Sequence, residues 1–145
     1  MNIHALVVDD SAIMRKMVMR SLRESALADF EFTEAADGAE ALEKFDQDSQ
    51  NIIFVDWNMP NMNGLEFAIK VREIQKRHIP IIMVTTESTM AKVEEALDSA
   101  GVDSFIVKPF TVEVLQKKLE PLFQQAAAAE GGGDGFFGQM AAGGA

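Results

Sequence analysis

Residues 52–66 read IIFVDWNMPNMNGLE. Four apolar residues stand in a row, with no polar alternation, before a single carboxylate at Asp56. A strand with one wet face alternates, whereas a strand covered on both faces does not. Beyond Asp56 come Asn58, Pro60, Asn61, Asn63 and Gly64, which are loop-forming residues. The stretch predicts a buried strand that delivers one acid to a loop at its carboxyl end.

The same signal recurs on either side. Residues 80–84, PIIMV, form a second run without alternation, and shorter apolar or β-branched runs occupy 3–8, 30–35 and 104–107. Helical spacing lies between the runs. Ile13, Met17, Val18 and Leu22 share one helical face, and Met90, Val93, Leu97 and Ala100 recur at i, i+3, i+7 and i+10. Val112, Leu115, Leu119 and Leu122 do likewise, with Pro121 placed to kink that helix or end it early. Five strands alternating with five helices in about 120 residues predict a doubly wound α/β fold with a mostly parallel five-stranded sheet.

Folds of this class bind ligands beyond the carboxyl ends of their strands. There the sequence places Asp9-Asp10 after the first strand, Asp56 after the third, Thr85-Thr86 after the fourth and Lys108-Pro109 after the fifth. Any one of these could be a solvated helix cap. Their coincidence at four strand ends is what carries a chemical reading. Three converging carboxylates repel one another and call for a cation. Oxygen ligands without His or Cys suit Mg²⁺, with Mn²⁺ as an alternative. The cation and Lys108 together could clamp a phosphoryl group, with the Thr85 hydroxyl donating to its oxygen. Asp56 stands alone on a central strand, while Asp9 and Asp10 form a pair suited to the metal. Asp56 is therefore the candidate nucleophile, forming an aspartyl phosphate.

Composition narrows the field. The chain has 145 residues, 48% hydrophobic and 25% charged, which suits one domain of ordinary size with a real core. Its formal net charge of -10 excludes a basic nucleic-acid footprint. The absence of cysteine excludes disulfides, thiolate metal sites and a cysteine nucleophile. No apolar run approaches a membrane span, and the opening MNIHALVVDD lacks the basic start of a signal peptide. A soluble, cytoplasmic monomer is expected.

Composition also breaks near residue 125. Residues 126–145 hold seven of the ten glycines, so we expect a domain over 1–125 and a flexible Gly/Ala-rich tail over 126–145. The tail carries Glu130 and Asp134, which leaves 13 − 21 = -8 on the domain. Phe136-Phe137 is its one apolar feature, read equally as a docking element or an inert linker.

The motifs VVDDSAIMRK, EAADGAEAL, DWNMPNMNGLE, IIMVTTE and FIVKPF, in this order and spacing, resemble a two-component response-regulator receiver domain, most closely the single-domain chemotaxis type. The resemblance covers about residues 3–124. It implies a flavodoxin-like (βα)5 fold with strand order 2-1-3-4-5. It further implies that Asp56 accepts a phosphoryl group from a histidine kinase. Asp9, Asp10, Asp56 and the Asn58 backbone carbonyl would hold Mg²⁺. Lys108 would contact the phosphoryl group, Thr85 would move toward it, and Phe105 would be the rotating aromatic that follows. Asn58 and Glu87 would flank the pocket mouth and tune dephosphorylation, and the Lys108-Pro109 peptide would be cis. The output would be a binding event on helix four, strand five and helix five, with a flagellar motor switch protein as partner and a phosphatase as a possible regulator. Close relatives often carry Tyr at position 105, and Phe105 should favour the inward rotamer more than Tyr would. Such a chain is not an enzyme, since it assists only its own phosphorylation and dephosphorylation.

Three rival readings remain. A receiver outside chemotaxis, acting as a phosphorelay intermediate or phosphate sink, fits the same motifs. A haloacid-dehalogenase-type phosphatase requires a second Asp where Asn58 stands, and a cap domain the chain is too short to supply. A flavodoxin requires a phosphate-cradling first loop, where this chain has the acidic DDSA.

Smaller features receive structural expectations. Trp57, the single tryptophan, should be a partly exposed rim residue. His4 and His78 should be structural or solvated. Arg72, Lys76 and Arg77 should form a small basic patch at the end of helix three, where the helix dipole favours them.

Overall fold

The structure is a computed structural model that describes residues 1–129. Five strands, β1 (Asn2–Val8), β2 (Asp29–Ala35), β3 (Ile52–Val55), β4 (Ile81–Thr85) and β5 (Ser104–Val107), alternate with α1 (Ala12–Ser25), α2 (Gly38–Lys44), α3 (Gly64–Ile74), α4 (Met90–Glu94) and α5 (Val112–Ala129). All strands are parallel, in the order β2-β1-β3-β4-β5. This is the flavodoxin-like arrangement expected from the sequence. The tail with Phe136-Phe137 lies outside the described residues, while residues 126–129 belong to α5. Alanine is the strongest helix former, so an all-Ala stretch prolongs the helix.

The uninterrupted apolar strands behave as their sequences demand. Every residue of β3 and β4 is buried. Alternate side chains serve two cores. Leu6, Val8, Ile53, Val55, Ile81 and Met83 pack with Phe67, Ala68 and Val71 of α3. Ile3, Val7, Ile52, Phe54, Ile82 and Ile106 pack with Val18 and Leu22 of α1 and Leu115 and Leu119 of α5.

Three helical expectations are corrected. On α1 only Val18 and Leu22 of the expected stripe are buried, joined by Met19, while Ile13 is 72% exposed and Met17 half-exposed. The stripe on α4 also breaks. After Glu94 the helix widens into a π-helical turn, Glu95–Ser99, in which the Ala100 N–H bonds to the Glu95 carbonyl. The extra residue shifts the register within the turn, so Ala96 is buried with Ala100 while Leu97 points outward, and Met90, ahead of the turn, is exposed as well. Pro121 does not end α5, which continues to Ala129. The ring removes only the N–H directed at residue 117 and sits on the exposed side. The opposite face is fixed by buried Leu119 and Phe123. Packing of that face outweighs one missing hydrogen bond.

Candidate functional site

Each strand end is held by the helix or loop that follows it. Beyond β1, Asp9 is buried, and its Oδ1 accepts from the Ser11 N–H at 2.9 Å. Ser11 in turn caps α1 by accepting from the Met14 N–H. From the first turn of α1, Arg15 Nη1 donates to the Asp9 carbonyl at 2.6 Å, and Arg15 Nε to Glu34 Oε1 at 2.9 Å. Beyond β3, the chain turns so tightly that the Gly64 N–H donates to the Trp57 carbonyl at 2.9 Å. A Cβ on Gly64 would lie 2.0 Å from the Asp56 carbonyl oxygen, so only glycine allows α3 to start there. An Asn63–Glu66 capping box fixes that helix start.

These constraints bring the predicted residues together. One carboxylate oxygen each from Asp9, Asp10 and Asp56 lie within 4.8 Å of one another. Asp9 and Asp56 are buried and Asp10 is exposed, so the cluster opens to solvent on one side. Lys108 reaches in from β5. Its Nζ donates to Asp9 Oδ2 at 3.0 Å and to Asp56 Oδ2 at 3.3 Å. The other Asp56 oxygen accepts from the Trp57 N–H at 2.8 Å. Burial raises the Asp56 carboxyl above its ordinary value. The Thr85 hydroxyl, Lys108 and the Trp57 amide oppose that rise, and Asp9 adds to it. Three acids against one ammonium leave an excess of negative charge in a half-enclosed pocket. An all-oxygen donor set of this kind fits Mg²⁺, which is held by carboxylates and water rather than by a closed protein cage.

The surrounding residues also lie where the sequence predicts them. Thr85 is fully buried at the end of β4. Phe105 is inward and 7% exposed, part of the core that contains Met83. At the mouth, Asn58 Nδ2 donates to Glu87 Oε1 at 3.0 Å, so the two flanking residues form a pair across the pocket. The Lys108-Pro109 peptide is cis.

The response regulator receiver domain family matches residues 5–120 of the chain. The chain belongs to this family. The receiver is 49% identical to the chemotaxis protein CheY1 of Helicobacter pylori over 117 residues, covering 79% of this chain and 92% of that protein. It resembles the crystallised chemotaxis protein CheY4 of Vibrio cholerae with a TM-score of 0.70 and 38% identity, covering 83% of this chain and 98% of that one. It also resembles a chain of the CheX-CheY-BeF3-Mg²⁺ complex from Borrelia burgdorferi, with a TM-score of 0.75 and 26% identity over 83% of this chain and 89% of that one. Among the described residues no helix is long and apolar enough to cross a membrane.

Some residues of the receiver were missed or misread in the sequence. Trp57 is not a rim residue. It is 5% exposed and belongs to the core, because the tight return to Gly64 folds its ring under α4, where Lys92 Nζ stands 4.7 Å over the ring centroid. Arg15 lies inside the motif VVDDSAIMRK, but no role of its own is legible there. Arg72 and Arg77 do not form a surface patch. They turn inward to backbone carbonyls, Arg72 to Ile79 and Gly101 and Arg77 to Gln47 and Gln50. His4 and His78 are structural as expected, with side-chain partners Thr33 and Asp103 at 2.7 Å each.

Proposed function

We propose that this receiver is a phosphoacceptor response regulator of a two-component system, working in chemotaxis. The carrying observation is the bridge of Lys108 from Asp9 to Asp56, set in the cluster of three converging acids. The phosphodonor is the phosphohistidine of a histidine kinase. Asp56 Oδ2 attacks phosphorus, the bond from phosphorus to the imidazole nitrogen breaks, and an acyl phosphate forms on Asp56. Asp9, Asp10, Asp56 and the Asn58 backbone carbonyl would hold Mg²⁺, whose charge would offset the repulsion between carboxylate and phosphate. Lys108 neutralises a phosphoryl oxygen and leaves its place between the two acids to do so. The Thr85 hydroxyl donates to a second oxygen, and Phe105 occupies the space behind it. Asn58 and Glu87, paired across the mouth, control the approach of the water that hydrolyses the acyl phosphate. The chain modifies itself once per cycle and turns over no outside substrate.

The output is a change in binding on the face formed by α4, β5 and α5. Met90, Leu97, Val107 and Val114 leave apolar side chains exposed on these elements, suited to an apolar segment of a partner such as a flagellar motor switch protein. The similarity to CheY proteins supports this choice over a phosphorelay or phosphate-sink role. A cytoplasmic, monomeric chain fits this reading.

Trp57 emission tests the chemistry directly. Mg²⁺ should change it, and acetyl phosphate should change it again, with intact mass rising by one phosphoryl group. Asp56→Asn should keep part of the first response and lose the second. An unmodified wild-type mass after acetyl phosphate would overturn the reading.

A further inference from the structure

We infer that Lys92 is a positioning residue that ties the first turn of α4 to the phosphoacceptor through the Trp57 ring, so that α4 reads the state of Asp56 by a route separate from Thr85 and Phe105. The inference rests on Asp56 being the acceptor. Its basis is a continuous path. Asp56 Oδ1 accepts from the Trp57 N–H at 2.8 Å. The Trp57 ring is 5% exposed, so its position follows its backbone closely. Lys92 Nζ stands 4.7 Å over the ring centroid. The Lys92 N–H is in turn bound by the Thr89 side chain that caps α4, at 3.3 Å.

What makes Lys92 matter is how little else holds this segment. None of Met90–Glu94 is buried, and Val93 is only partly packed against the core. The helix becomes anchored only at Ala96, inside the π-helical turn. A cation over an aromatic face is therefore a main tether of the first turn. A contact of this kind shifts an equilibrium by roughly two- to five-fold. Phosphorylation turns Asp56 into an acyl phosphate through Oδ2 and changes the hydrogen bond that the Trp57 amide makes to Oδ1. Residue 57 then moves, and the ring under Lys92 moves with it. Met90 and Leu97, exposed on either side of Lys92 in sequence, are displaced by the same motion.

Amide hydrogen exchange over residues 89–100 tests this in the full chain. It is measured with Mg²⁺ alone and with Mg²⁺ plus beryllofluoride, for wild type, Lys92→Met and Lys92→Arg. Methionine keeps the apolar stem and removes the charge, while arginine keeps both. Without beryllofluoride, Lys92→Met should exchange roughly two- to five-fold faster over 90–95. Its change on loading should shrink, and Lys92→Arg should restore both. A structural role alone would speed exchange and leave the change on loading at full size, which overturns the coupling. Wild-type exchange in Lys92→Met overturns the tether itself. Acetyl phosphate and intact mass on the same samples separate the two readings. If wild type takes up no phosphoryl group, the acceptor reading fails and the coupling with it, while the unloaded comparison still decides whether Lys92 holds α4.

Discussion

At the carboxyl end of the sheet, Asp9, Asp10 and Asp56 face one ammonium, that of Lys108. At the amino end, Asp103 faces the guanidinium of Arg72 at 2.9 Å, and both side chains are less than a fifth exposed. The lower pair is closed. Arg72 also donates to the carbonyls of Ile79 and Gly101 and to Gln75, and Asp103 also accepts from the Ile81 N–H. Burial pulls the Arg72 guanidinium down and Asp103 pulls it back up. The upper cluster is left over-acidic, and burial there raises Asp56 against the pull of Thr85 and Lys108. A closed network holds strands together. A cluster with more acid than base gains energy by taking up positive charge, which is what the proposed cation-assisted phosphoacceptor role requires of it.

The contrast can be broken by mutation. Arg72→Ala leaves Asp103 without its guanidinium and strips the Ile79 and Gly101 carbonyls of their donor. We expect a loss of about 3 kcal/mol in urea unfolding, with Mg²⁺ affinity unchanged. A loss below about 1 kcal/mol would place Arg72 with ordinary surface residues. At the upper end we expect Mg²⁺ to act in the opposite sense. At ten times its dissociation constant it should stabilise the fold by about 1.4 kcal/mol, and the gain should vanish when Asp9 and Asp10 are both changed to Asn. Persistence of the gain in that double variant would move the cation elsewhere.

Asp56→Asn sharpens the comparison because its sign is reversed. Removing a buried and repelled carboxylate should stabilise the metal-free chain by about 1 kcal/mol at neutral pH. The folded value of Asp56 is raised, so the folded chain keeps a proton that the unfolded chain gives up. Stability from this group therefore grows as pH falls toward the ordinary value of 3.8, and the advantage of Asn should fade over the same interval. An advantage that widens on acidification would contradict the assignment. The smallest effect is expected at His78, whose side chain is 54% exposed beside Asp103. His78→Gln should change stability by less than about 0.5 kcal/mol, as measured by thermal melts.

The sheet and its site were legible because both depend on short-range signals. IIFV and PIIMV announce burial on two faces, and a residue at a strand end keeps its place whatever the helices do. Asp9, Asp56, Thr85 and Lys108 therefore fell where their strands put them. The helices were read less well. The α4 stripe assumed 3.6 residues per turn, and one π-helical turn left Leu97 on the outside. Pro121 was judged by its own ring rather than by Leu119 and Phe123 packing across from it. Trp57, Lys92, Arg15 and Arg72 were misread or overlooked because their partners come from other elements. No local pattern records that Lys92 will stand over a ring 35 positions earlier.

The bridge from Lys108 to Asp9 spans 99 positions, and the one to Asp56 spans 52. That separation has a meaning in time. A ribosome adds roughly 5–20 residues per second, so Lys108 is synthesised roughly 3–10 s after Asp56. Through that interval Asp56 exists without the ammonium that faces it in the folded chain. On the proposed reading, a nascent chain would become a competent acceptor only once the strand that carries Lys108 has docked.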